Sequence, residues 1–216
     1  MTVASAALDE ARRSVARACH GLAGEGLLIG SAGNVSVRVG EHVAVTATGV
    51  VLGRATADDV TVVDLDGTVV AGERAPTSEL QLHLGIYRQH GAGAVVHTHA
   101  PQATAVSLVL DELPCVHYQQ LALGGAVRVA PFAVFGSAEL AAATLEALEG
   151  KSAALLANHG AVTHGPTLEA AVDNALLLEW ACGLYVRAAT LGAPRVLDQE
   201  QQDAVVAAAV SRGYGR

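Results

Sequence analysis

Val35-Ser36-Val37-Arg38-Val39-Gly40-Glu41-His42-Val43-Ala44-Val45-Thr46 sets valine at every second position on either side of Gly40-Glu41. Period-two alternation is the signature of a half-buried strand, and a glycine-containing break between two such runs predicts an antiparallel hairpin. Working outward, 60–65 and 68–70 flank Asp66-Gly67 and predict a second hairpin. Single strands are expected at 94–98, 127–130 and 153–157. Helices are expected at 5–27, from Thr77 or Ser78 as cap to about residue 89, at 101–108, at 137–148 behind Ser137, at 166–191 and at 198–210. Helices interspersed with hairpins imply an α/β fold, a three-layer α/β/α arrangement around a central, mostly antiparallel sheet.

The chain has 216 residues, which suits a single domain spanning 1–216. Hydrophobic residues make up 51% and charged residues 16%, which excludes intrinsic disorder. The formal charge is −8, no Lys/Arg cluster exists and aromatics are 3%, so a nucleic-acid footprint is not expected. Apolar runs are broken by Gly, Asp or His before they reach the ~20 residues of a membrane span. No signal peptide is recognisable at the N-terminus. Cys19, Cys115 and Cys182 lack CxxC spacing and read as reduced, mostly buried thiols, and a cytoplasmic location is expected.

His97-Thr98-His99 closes the strand expected at 94–98. Residues i and i+2 of a strand face the same side, about 6.6 Å apart along the chain, so both imidazoles can reach one metal. The plain alternative is a pair of satisfied histidines at a strand end. His159, in Asn158-His159-Gly160 after another strand, is the candidate third ligand; its alternative is a turn residue. Three neutral histidines would leave an open position, the pattern of a catalytic zinc. Glu79 falls in the first turn of the helix after Pro76, where the helix dipole alone explains it; its functional reading is a general base beside the metal. His83, one turn on, reads as a supporting, partly buried histidine, and His20, His42, His90 and His164 as structural ones. The small-residue stretches Ser31-Ala32-Gly33-Asn34 and Thr46-Ala47-Thr48-Gly49, with Thr77 and Ser78 at a helix start, could cradle a phosphate without lysine or arginine; singly, each is an ordinary turn.

Taken together and in order, Gly33-Asn34-Val35-Ser36, Thr48-Gly49, Pro76-Thr77-Ser78-Glu79, His97-Thr98-His99, Val116-His117-Tyr118 and Asn158-His159-Gly160 resemble the class II aldolase/adducin family, most closely its L-fuculose-1-phosphate aldolase branch, over about 7–214. The resemblance implies that His97, His99 and His159 bind one Zn2+ (or another divalent metal) per subunit. It implies that Glu79 is the catalytic acid/base and can occupy the metal's open position when substrate is absent. It assigns Ser31, Gly33, Asn34, Thr48, Gly49, Thr77 and Ser78 to the substrate and its phosphate. Tyr118 would reach a neighbouring subunit's site, and Tyr214 would close over it from the C-terminal tail. A homotetramer with sites at subunit interfaces is implied as well.

The implied activity is zinc-dependent cleavage of a ketose 1-phosphate, such as L-fuculose 1-phosphate, to dihydroxyacetone phosphate and a short aldehyde. Lys151 is the only lysine and lies beyond the motifs, so a Schiff base is not expected. Sugar-phosphate epimerases of this scaffold typically carry Asp at the position of Glu79; sugar-acid phosphate decarboxylases and sugar-phosphate dehydratases are further alternatives. Adducin-type binding modules lack the metal ligands. A zinc hydrolase of the HxHxDH type is disfavoured, because Ala100-Pro101-Gln102 follows His99.

Overall fold

The computed structural model describes residues 3–213. The hairpin at its centre is β1 (Asn34–Val39) and β2 (His42–Thr46), paired antiparallel from Ser36↔Val45 to Val39↔His42. β3 (Val60–Asp64) and β4 (Val69–Ala71) form the second hairpin. β5 (Ala94–Thr98), β6 (Glu112–Leu113), β7 (Val127–Ala130), β8 (Ala153–Leu156) and β9 (Gly160–Gly165) complete a nine-stranded sheet in the order β4-β3-β2-β1-β5-β9-β8-β7-β6. Every neighbouring pair is antiparallel except β7 with β8.

Strand alternation divides the core between two helical layers. Ala94 and Val96 of β5 join Val35, Leu155 and Ala161 on the face covered by α1 (Val3–Gly24), α3 (Pro101–Ser107) and α5 (Leu168–Leu191). Val95, Val43, Leu156 and Val162 pack on the other face against α2 (Leu80–His90) and α4 (Ala138–Ala147). The side chains are Ala, Val and Leu almost throughout, each contributing roughly 1.5–3 kcal/mol when fully buried, Ala less. The expected three-layer α/β/α architecture with a mostly antiparallel sheet is the one observed. α6 (Gln199–Ser211) lies outside these layers, against a 3-10 turn at Tyr118–Leu123.

Ser137 accepts from the Leu140 amide at 3.1 Å, as expected of a cap. Thr77 and Ser78 do not cap α2. Glu79 holds the N-cap position, outside the first helical turn, and makes no side-chain capping bond. The Thr77 hydroxyl instead accepts from the Glu79 amide at 3.2 Å, a local turn that leaves the carboxylate free to swing away from the helix. β9 is not among the expected strands; it runs between two glycines and pairs with both β8 and β5. The N-terminus of α3 is capped from a distance: the Gln102 and Ala103 amides donate to Glu179 Oε1 and Oε2 of α5 at 2.9 and 2.8 Å. That clamp fixes the chain where it leaves His99.

Among the glycines inside the strands, the tightest approach is at Gly160. A Cβ there would fall 2.2 Å from the Thr98 carbonyl oxygen and 3.3 Å from His99 Cα. Gly160→Ala is therefore expected to destabilise the protein by about 2 kcal/mol, the cost of forcing the backbone apart in a packed interior. A denaturation midpoint equal to wild type would show that the ends of β5 and β9 do not meet as described.

Candidate metal centre

The pairing of β5 with β9 sets Thr98 opposite Ala161, so His97-Thr98-His99 runs beside the β8–β9 turn that carries His159. Asn158 makes that turn in the left-handed region, with φ 58°, a conformation asparagine tolerates better than most residues. The three rings gather edge to face, with centroids 4.8–4.9 Å apart, and one ligand atom from each lies within 4.8 Å of the others. His97 and His99 approach at 3.1 Å, Nε2 to Nε2.

The tautomer of His97 follows from its other nitrogen. Nδ1 lies 2.9 Å from the Ala161 carbonyl oxygen, which only accepts, so Nδ1 carries a hydrogen and Nε2 is the nitrogen available to a metal. That nitrogen faces Glu79 Oε2 at 3.1 Å, and His159 Nε2 faces Oε1 at 3.6 Å. Burial, then the charges of His97 and His159, hold His99 down to about 4. Burial lowers His159 as well. For Glu79, burial pushes the carboxyl up, but His97 beside it, together with the Asn34 amide and His159, outweighs burial and holds it well below the usual carboxylate range.

The result is an ionised, 95%-buried carboxylate facing imidazole nitrogens. Its Oε1 is buried without a hydrogen-bond partner. A buried lone-pair oxygen with nothing to accept from is costly, and a cation coordinated by the neighbouring nitrogens would satisfy it. Three imidazoles suit zinc and other late first-row divalent ions, so the residues present fit a metal.

The anion-cradle stretches converge on the same place. Ser31, Gly33 and Asn34 meet Thr48 and Gly49, then Thr77 and Ser78, around a cavity of about 480 Å³ that has Glu79, His99 and His159 in its wall. Gly33, with φ 94°, is held against β5: a Cβ there would lie 2.7 Å from the His97 carbonyl oxygen. Among the described residues, no lysine or arginine lines the cavity. Its rim carries Phe132, Val134 and Phe135, all more than 60% exposed. Sequence reasoning missed this loop, although Phe132 and Phe135 are the only phenylalanines in the chain.

Other expected residues lie elsewhere. Tyr118 is half-exposed beside a different cavity formed with α6, and its ring packs on His117, which in turn meets Trp180. Tyr214 lies outside the described residues. His83 is not partly buried but wholly so, and bonded within the core. Cys19, Cys115 and Cys182 are free and buried, and burial raises all three thiols, Cys19 to about 12. Among the described residues, no helix is long and apolar enough to cross a membrane.

The chain is similar to known proteins over most of its length. The model of the class II aldolase and adducin N-terminal domain matches residues 13–186. A 5-deoxy-D-ribulose 1-phosphate aldolase from Bacillus thuringiensis serovar kurstaki is 35% identical over 194 residues, 88% of this chain and 90% of that one. The L-fuculose phosphate aldolase of Escherichia coli K12 is 34% identical over 196 residues, 90% and 91% of the two chains. A solved L-fuculose 1-phosphate aldolase superposes with a TM-score of 0.87 at 32% identity, covering 91% of this chain and 94% of its own.

Titration calorimetry of metal-stripped protein with zinc is expected to give one equivalent per chain. His97→Ala and His159→Ala should each weaken binding by more than about 100-fold, since a lost ligand costs at least as much as a lost outer-shell partner. Wild-type affinity in both variants would remove the triad from consideration.

Proposed function

The chain belongs to the class II aldolase and adducin family, and on that premise we propose that it is a divalent-metal aldolase acting on a short ketose 1-phosphate. The observation that carries this reading is the ionised, buried Glu79 with one unpartnered oxygen beside three converging imidazoles. His97, His99 and His159 would hold the metal, zinc by the softness of the donor set. When bound, it supplies the Lewis acid that stabilises negative charge developing on the substrate oxygens.

The protein's own groups account for the rest. Ser31, Gly33, Asn34, Thr48, Gly49, Thr77 and Ser78 would hold the phosphate through hydroxyls, amides and open backbone. In cleavage, the C4 hydroxyl loses its proton to solvent by way of Tyr118, Glu79 gains a proton from solvent, the C3–C4 bond breaks and the aldehyde departs with C4. The electron pair left on C3 takes a proton from Glu79, which yields dihydroxyacetone phosphate. In synthesis Glu79 removes that same proton. The position of Oε1, bonded to no protein donor, suits this exchange.

Tyr118 lines a different cavity from the one that has Glu79 in its wall. It belongs in this proposal as a group lent to a neighbouring copy, where it would protonate the aldehyde oxygen in synthesis. The C-terminal Tyr214 would close over the site in the same assembly, a cytoplasmic homotetramer. The whole chain, 1–216, would act as one domain. The relatives' names point to two aldehyde lengths, those released from a 5-deoxypentulose phosphate and from a 6-deoxyhexulose phosphate. The exposed Phe132 and Phe135 rim is an apolar surface suited to a deoxy terminus.

Incubation with 5-deoxyribulose 1-phosphate, L-fuculose 1-phosphate and ribulose 1-phosphate should release dihydroxyacetone phosphate from at least one. Release of carbon dioxide from a sugar-acid phosphate instead would place the chain among decarboxylases. Glu79→Gln should keep its zinc and lose about 10²–10⁴ in kcat, the usual contribution of a positioned acid/base; unchanged turnover would strip Glu79 of this role. Ser78→Ala should raise KM about tenfold or more, with a smaller change in kcat, if its hydroxyl binds the charged phosphate.

A further inference from the structure

A file of buried polar side chains runs from Glu79 into the core under α2. Asn34 Nδ2 donates to Glu79 Oε2 at 2.9 Å. The other end of the same amide, Oδ1, closely contacts His83 Nε2. His83 Nδ1 lies 2.7 Å from Ser36 Oγ, and Ser36 Oγ lies 2.6 Å from the Tyr87 hydroxyl. Two elements supply the file. Asn34 and Ser36 alternate on one face of β1, and Glu79, His83 and Tyr87 stand one turn apart along α2. None is more than 5% exposed.

Hydrogen-bond logic leaves each group a single assignment. A carboxylate only accepts, so the Asn34 amide must turn its NH2 to Glu79 and its oxygen to His83. That oxygen only accepts, so His83 Nε2 carries a hydrogen. Burial, with the charge of His97 second, holds His83 at about 3, so the ring is neutral and Nδ1 is an acceptor. Ser36 then donates to Nδ1 and accepts from Tyr87, whose hydroxyl burial keeps protonated. Every hydrogen in the file points toward the carboxylate.

The direction matters at Glu79. With the amide turned this way, Oε2 is held by a donor and Oε1 is left without one. A flipped amide would set two lone-pair oxygens against each other, expelling the carboxylate from its present orientation. Nothing in the phosphate cradle or the histidine triad uses Ser36, His83 or Tyr87, and an apolar core could fill their space without burying polar groups.

We propose that Tyr87, Ser36 and His83 are positioning residues: they lock the Asn34 amide in one orientation and so decide which oxygen of Glu79 faces the substrate. The inference rests on the proton-transfer role proposed above for Glu79, and its test separates the two. The zinc-loaded enzyme is incubated with dihydroxyacetone phosphate in D2O, without aldehyde, and exchange of the C3 proton is followed by NMR. His83→Leu should slow exchange about 10- to 100-fold, the usual range for lost outer-shell partners, with zinc content and the KM for dihydroxyacetone phosphate little changed.

His83→Gln keeps a donor for Asn34 and an acceptor for Ser36 and should recover most of the rate. Ser36→Ala, the milder variant should His83→Leu fail to fold, should fall between. Independently of turnover, nitrogen-15 spectra of histidine-labelled protein should show His83 neutral with its hydrogen on Nε2. A hydrogen on Nδ1, or wild-type exchange in a folded His83→Leu or Ser36→Ala, overturns the inference and leaves the role of Glu79 standing. Absence of exchange in the wild type overturns that role, and this inference with it.

Discussion

The closeness of Gly160 to the Thr98 carbonyl is the constraint on which the site depends. A side chain at that position would meet backbone at 2.2 Å, so only glycine lets the ends of β5 and β9 run in register. In register, Ala161 offers its carbonyl to His97 Nδ1, and Nε2 of His97 is turned toward the place where His99 and His159 also arrive. One backbone contact thus sets a strand pairing, a tautomer and a set of converging donors. The bidentate clamp of Glu179 on the start of α3 holds the chain on the far side of His99, so both exits from the HxH stretch are pinned.

Charge in the cavity is handled without fixed cations. Among the described residues no lysine or arginine lines the cavity, and Glu79 is ionised in a wall shared with His99 and His159, both of which burial lowers. A divalent ion is the positive charge this arrangement calls for. The protein contributes orientation instead, through Asn34, Gly33 and the turn before α2. Such a site is electrostatically incomplete in the bare chain.

Period-two valine runs made β1 and β2 readable from the residues, the short apolar run at 94–98 made β5 readable, and caps such as Ser137 placed α4. The histidine pair was readable because two residues on a strand must face one side. Three things were hidden. β9 begins and ends with glycine, which reads as loop, although it pairs with β8 just before it and with β5 some sixty residues earlier. Glu79 has two local explanations, and only the absence of a capping bond and its contacts to His97 and Asn34 choose between them. The full burial of His83 depends on Ser36 and Asn34, 47 and 49 residues away, a distance no helical or strand period reports. The resemblance to class II aldolases supplied the grouping of loops that local reading left as separate turns.

The proposed activity requires His97, His99 and His159 to meet at one divalent ion. X-ray absorption at the zinc edge, on protein carrying one equivalent of zinc, tests this most directly. It should show three imidazole nitrogens at about 2.0–2.1 Å with a light oxygen shell completing the coordination. Sulfur scatterers, or a shell with fewer than three imidazoles, would contradict it.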